Sequence, residues 1–326
     1  MRFLAACFLV SLLIGIHNSL AATPSLPCPP PKWDVTPKKL TIRGADCKEM
    51  VLVSSGYFYM GSESGGRYGD KHETPVHRVW VDDFYMDTHE VTVGEYKRFL
   101  KTTPTRNLPE LVAKYAPTDS HPVVGIKWEE AAAYCAWAGE LLPSEAQWEK
   151  AARGETGFKY PWGNASVKIG EWYLVVVKVL PILSLKDEAR ANYCDYNCQT
   201  SWRSLTVNDG YTYTAPVGTY EEGKSPYGIY DLAGNVWEWA RDWYDPEFYK
   251  RSPERNPVNT ERKLSRPITG RVGDIVYDSV HVARGGSWRD DESVLRAAYR
   301  RVITSAELER VLNRVGFRCV IETSGP

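Results

Sequence analysis

Tyr227-Gly228-Ile229-Tyr230-Asp231-Leu232-Ala233-Gly234-Asn235-Val236-Trp237-Glu238-Trp239 sets the character of the chain. Glycine, asparagine and aspartate favour turns over regular elements, while Trp237 and Trp239 carry large surfaces that must find a packed environment. Most of the chain after Gly154 has this composition. With 12 Trp, 20 Tyr, 25 Gly and 21 Pro, the whole chain reads as a loop-rich domain whose irregular segments are pinned by large side chains. Helix and strand are both expected as minor components, an α+β class with low regular secondary structure.

Outward from that stretch, short strands are expected at Met50–Val53, Tyr57–Met60, Val76–Phe84, Ala215–Val217 and Arg314–Ile321. Thr92-Val93-Gly94-Glu95 and Ser144-Glu145-Ala146-Gln147 are capping boxes that open helices over about 93–101 and up to Arg153. A third helix is expected over Trp128–Ala138, with Trp128, Ala131, Cys135 and Ala138 on one face.

Residues 1–21 read as a secretory signal peptide: Arg2, an apolar run Phe3–Ile16, and Ser19-Leu20-Ala21 as the cleavage site. A secreted or periplasmic location follows, with no membrane span, since the apolar run is too short for one. Residues 22–47 are a Pro-rich leader and 48–322 the domain. Within it, 165–190 is an insert whose apolar stretch 169–185 reads as a strand pair or as a partner-binding edge. With 40 Lys+Arg and 41 Asp+Glu the net charge is −1, and no basic stripe suggests nucleic acid.

Seven cysteines are present. Cys7 lies in the signal segment, and the others suit disulfides in an exported chain. Cys194 and Cys198 are close enough to bridge a tight loop, and Cys28 and Cys47 flank the start of the domain. Cys135 and Cys319 remain. A zinc site lacks any Cys-x-x-Cys spacing to support it.

Several motifs together resemble one family: Phe58-Tyr59-Met60-Gly61-Ser62, Glu73-Thr74-Pro75-Val76-His77-Arg78-Val79, Glu90-Val91-Thr92, Leu142-Pro143-Ser144-Glu145-Ala146-Gln147-Trp148-Glu149, Tyr160-Pro161-Trp162-Gly163-Asn164, the stretch 227–239, Arg284-Gly285-Gly286-Ser287-Trp288 and Gly316-Phe317-Arg318-Cys319. Their order is similar to that of the sulfatase-modifying-factor, or formylglycine-generating-enzyme, family. The resemblance implies a loop-rich variant of the C-type-lectin-like fold and a disulfide between Cys135 and Cys319. It also implies calcium as cofactor. Asp231, Gly234, Val236 and Glu238 would form one site, and Asn192, Tyr193, Asp209 and Tyr211 a second, since Ca²⁺ takes carbonyl and carboxylate oxygens.

Enzymes of the family carry two cysteines after the Arg-Gly-Gly-Ser-aromatic motif, which bind Cu(I). Here those positions hold Asp290 and Leu295, so copper-dependent oxidation is not expected. An acidic cluster, Asp290, Asp291 and Glu292, stands there instead with Ser287 nearby, flanked by Arg289, Arg296, Arg300 and Arg301. The histidines (His72, His77, His89, His121 and His281) are scattered and give no metal spacing. Two functions follow. The first is an exported, calcium-stabilised module that holds a peptide or protein segment in the family groove. The alternative is a periplasmic modifying enzyme or oxidase of the pyoverdine-chromophore type, with Asp290, Asp291 or Glu292 as acid or base.

Overall fold

A computed structural model describes residues 41–63, 71–165, 189–205, 207–262, 268–269, 274–275 and 280–323. The signal segment 1–21, Cys28 and the apolar stretch 169–185 lie outside the described residues.

Two four-stranded sheets carry the domain. The first runs in the order β1 (Thr41–Arg43), β2 (Glu49–Val53), β5 (Phe84–Asp87), β12 (Val320–Glu322). The second runs β10 (Arg301–Val302), β9 (His281–Arg284), β6 (Trp237–Trp243), β11 (Val315–Gly316), with β11 parallel to β6. Two hairpins, β3 (Gly56–Met60) with β4 (His77–Val81) and β7 (Ile268–Thr269) with β8 (Asp274–Ile275), complete the strands.

Three expectations change here. The span 22–47 is not leader throughout, because Thr41–Arg43 pairs antiparallel with Glu49–Val51 and the chain is already in the sheet at residue 41. The Val76–Phe84 run splits at Asp82 and Asp83, so β4 joins β3 whereas β5 joins β2. Ala215–Val217 forms no strand.

The helices start where local chemistry placed them. The capping box of Thr92 and Glu95 opens α1 (Val93–Thr102). A single turn, α2, covers Val112–Tyr115. Helix α3 (Trp128–Trp137) follows, and α4 (Glu145–Arg153) begins on the capping box of Ser144 and Gln147. A fifth helix, α5 (Ser305–Val311), was not expected; Thr304 and Glu307 form its capping box.

α1 and α3 meet in the larger core, where Tyr96, Phe99 and Tyr134 pack with Trp237, Trp239 and Phe317. The Cys135–Cys319 disulfide lies in this core, Cα to Cα 5.7 Å. α4 forms a second core against β3 and β4, with Trp148 fully buried among Phe58, Val79 and Phe84. Cys194–Cys198 closes a short surface loop. Cys47 is also disulfide-bonded, so all five cysteines among the described residues are oxidised.

Candidate functional site

The segment 284–301, which carries the positions of interest, is anchored by buried ion pairs to α4. Arg300 grips Glu145 with two bonds, Nε–Oε1 at 2.6 Å and Nη2–Oε2 at 2.8 Å. Arg284 bonds Glu149 and donates to the carbonyls of Ala298 (3.0 Å) and Tyr299 (2.6 Å). Burial alone would raise the Glu149 carboxyl, but Arg284 and Arg153 outweigh it and hold it below its usual range. Arg296 binds Glu73 with two bonds, 2.7 and 2.8 Å. Arg296 and Arg300, which flank the acidic cluster in sequence, are thus both paired with carboxylates of the scaffold.

At the first position where the resemblance would place a cysteine, Asp290 is held from three sides. Its Oδ2 accepts from the Trp237 indole (2.8 Å) and the Ser287 hydroxyl, and its Oδ1 faces Arg314 Nη1 at 3.4 Å. The second position, Leu295, is fully buried with Tyr160, Tyr193 and Ala233. Gly286, at φ +81°, permits this, since a Cβ there would meet Leu295 Cδ2 at 2.6 Å. Asp291 caps a short 3-10 turn by accepting from Ser293 N (2.8 Å). Glu292 accepts the Tyr160 hydroxyl at 3.2 Å. The three acids thus have different environments, and Asp290 is the one bonded to Ser287 and Trp237.

The turn at 231–235 has left-handed backbone at Asp231 (φ 59°), Gly234 (φ 84°) and Asn235 (φ 56°). Asp231 accepts from Gly218 N at 2.7 Å, and Glu238 is clamped by Arg318 (2.7 Å twice) and the Trp148 indole (2.8 Å). Glu90 lies against Asp231, and no donor reaches either of its buried carboxyl oxygens. Burial and the Asp231 charge push Glu90 well above the usual carboxylate range, and burial brings Asp231 up to about 6.

The second set converges as well. Tyr193 N and Tyr211 N donate to the two oxygens of Asp209, at 3.0 and 2.8 Å. Asp195, absent from the expected set, accepts from Asp209 N. Burial and Asp195 together push Asp209 up to about 8. Asn192 Oδ1 is buried with no partner. The two loops touch, because Asn235 N donates to Asn192 O (2.8 Å) and a Cβ on Gly234 would lie 2.1 Å from that same oxygen. Buried carboxylates in excess, with unpaired oxygens, suit a hard cation taking oxygen ligands.

The histidines do not converge. His281 is sandwiched between Trp128 and Trp243 (centroids 3.7 and 3.8 Å), while His72 and His77 contact Tyr244 and Tyr249. Asp87, Glu140 and Cys319 form another buried group of potential ligands. Cys319 is spent in its disulfide, and the Lys48 ammonium already sits 3.1 Å from Asp87. Sequence reasoning missed Glu90, Asp195 and Arg314 as site residues. Glu90 stood in a quoted motif, but only the fold brings it to Asp231.

The family model for the sulfatase-modifying factor enzyme 1-like domain matches residues 37–323. The formylglycine-generating enzyme of Streptomyces coelicolor is 28% identical over 325 residues, covering 85% of this chain and 90% of that protein. The serine/threonine-protein kinase pkn1 of Chlamydia caviae is 30% identical over 292 residues, but the chain spans only 37% of its length. Among solved structures, PvdO from Pseudomonas aeruginosa superposes with a TM-score of 0.65 at 24% identity, covering 88% of this chain and all of that one. Among the described residues no helix is long and apolar enough to cross a membrane. The chain belongs to the family of sulfatase-modifying factor enzyme 1-like domains.

Proposed function

We propose that this chain is an exported, calcium-stabilised binding module built on the formylglycine-generating-enzyme scaffold, a C-type-lectin-like variant, and not a copper-dependent cysteine oxidase. One observation carries the reading. The family's two sulfur positions hold a hydrogen-bonded carboxylate, Asp290, and a buried leucine, Leu295, neither of which is a soft ligand. The other cysteines among the described residues are tied in disulfides. Disulfides also agree with an oxidising compartment.

Calcium would be held by Asp231, Glu238 and the Gly234 and Val236 carbonyls in one loop. Asn192, Asp209 and the Tyr193 and Tyr211 carbonyls would hold it in the other. Its part is structural: it neutralises buried carboxylates and fixes the loops beside Asp290. The occupant of the groove is a peptide or protein segment. Beside Asp290, the 194–207 loop exposes Tyr196 (58%), Trp202 (54%) and Leu205 (65%), and the Trp202 indole donates to Arg289 O (3.3 Å). Exposed aromatics of this kind are common anchors in interfaces.

The test is a titration of the calcium-loaded protein with a peptide library, read by tryptophan fluorescence, alongside turnover of a cysteine peptide with copper and oxygen. Saturable binding weakened by Trp202→Ala, without mass loss from the cysteine peptide, supports the reading. Formylglycine formation overturns it. A second reading, a periplasmic modifying enzyme or oxidase, is favoured by the Ser287–Asp290–Trp237 constellation. It predicts that Asp290→Asn abolishes a turnover that the peptide-binding assay does not register.

A further inference from the structure

Four arginines of the domain, Arg284, Arg296, Arg300 and Arg318, are each matched to a carboxylate by at least one short bond. Three others are not. Arg289 follows Trp288 in the loop, Arg301 is in β10, and Arg314 precedes β11, so separate elements bring them to Asp290 and Trp237. The Arg301 guanidinium lies over the Trp237 ring, 5.1 Å from its centroid. The same indole donates to Asp290, which meets Arg314 at 3.4 Å. Among the described residues neither Arg289 nor Arg301 forms an ion pair. The Nε atoms of Arg301 and Arg314 are buried and have no acceptor.

These guanidiniums feel one another. Burial lowers Arg314, Asp290 raises it, and Arg301 and Arg289 both push it down, leaving it below its usual range. Glu307, the other acid that acts on Arg314, is committed to the cap of α5, accepting from Thr304 at 3.4 and 3.2 Å. Of the three cations only Arg314 has an ion-paired carboxylate, Asp290, and the other acid that acts on it, Glu307, is engaged in the cap of α5. Cationic forks partly withdrawn from water, aligned by an aromatic face and short of acceptors, are the arrangement that binds a planar or tetrahedral oxyanion.

We propose that Arg289, Arg301 and Arg314 form a receptor for an oxyanion beside Asp290, filled by a carboxylate of the bound segment. This deepens the module reading and rests on it for the identity of the carrier. Trp202 and Arg289 join the receptor to the exposed aromatic loop, so the occupant pairs an acidic side chain with an apolar one. Asp290 keeps Arg314 oriented, and its own charge limits the receptor to one bound anion.

The experiment uses the full calcium-loaded protein and reads tryptophan fluorescence, since Trp237 lies in the receptor. It titrates an acidic, aromatic-containing peptide, the same peptide with Asn and Gln for Asp and Glu, and sodium sulfate. Expected is binding of the acidic peptide that weakens with salt and falls by about tenfold or more in Arg301→Gln and in Arg289→Gln, with the amide peptide bound correspondingly less well. Thermal unfolding of both variants, which alter partly exposed side chains, should stay near that of the parent. Sulfate binding lost in Arg301→Gln supports the receptor even if no peptide binds; only the module reading then fails. Equal binding of acidic and amide peptides overturns the receptor and leaves the module reading intact. Silence of both sulfate and the acidic peptide also overturns it.

Discussion

Two buried charged regions of this molecule meet at Trp148 and solve the same problem differently. Around α4, Glu145 and Glu149 are matched by Arg300 and Arg284, with short bonds in place. Trp148 lies under the Arg284 guanidinium, 5.3 Å from its carbon, and donates its indole N–H to Glu238. Beyond Glu238 compensation is thinner: Asp231 and Glu90 share one Arg318, and Asp209 faces Asp195, whose charge adds to burial in raising it. Buried charge is tolerated where it is paired. A region that leaves acid in surplus has to take up protons or bind a cation. The first region is self-sufficient, and the second is the one that the proposed calcium would complete.

Breaking the paired region gives the largest effect. Arg300→Met strands Glu145 without its partner in the core, and chemical denaturation should register a loss of about 3–5 kcal/mol. A loss below about 1 kcal/mol would mean that the network is dispensable. Completing the other region is worth less. Calcium at about a hundred times its dissociation constant should stabilise the protein by about 2.7 kcal/mol. Thermal unfolding with calcium and with chelator measures this, and identical curves would remove the contrast.

The paired region has one weak point. Burial and then Glu145 push the Asp242 carboxyl up to about 7, although Glu145 N and Asn259 N both donate to it. Its folded value lies above the unfolded one, so between about pH 4 and pH 7 the folded state binds the extra proton. Stability from this group falls as pH rises through that window, by at most about 1.4 kcal/mol per pH unit. Asp242→Asn should flatten the wild-type slope there; equal slopes would show that Asp242 does not titrate as described.

The smallest expected change sharpens the comparison most. Burial and the Asp231 charge hold the Glu90 carboxyl well above its usual range and favour its uncharged form, so Glu90→Gln should alter the stability of the calcium-free protein by less than about 1 kcal/mol. With calcium present, the same substitution should shrink the stabilisation. An unchanged calcium increment would exclude Glu90 from the cation's surroundings.

What was legible in the sequence follows the range of the forces involved. Capping boxes act within four residues, so the starts of α1 and α4 at Thr92 and Ser144 were readable. The box at Thr304 and Glu307, which opens α5, is equally local. Thr41–Arg43 is three residues long, too short to be read as a strand by itself, and is defined by its pairing with Glu49–Val51. In the site, only a motif to count from was needed for the expectation that Asp290 and Leu295 stand where sulfur would be. Arg314, 24 residues from Asp290, and Glu90 beside Asp231 are brought in by tertiary structure. Arg296 and Arg300 show the reverse, since their neighbours in sequence are not their partners in space.

Residues 315–322 have a consequence for the order of events during synthesis. Val315–Gly316 closes one sheet against Trp237–Glu238, Val320–Glu322 closes the other against Phe84–Met86, and Cys319 lies between them. Neither sheet has its full set of strands until the ribosome has delivered these eight residues. Contacts this distant in sequence form late and slowly. A nascent chain lacking them would have both sheets one strand short and Cys135 without its partner, so the domain closes only when these residues arrive.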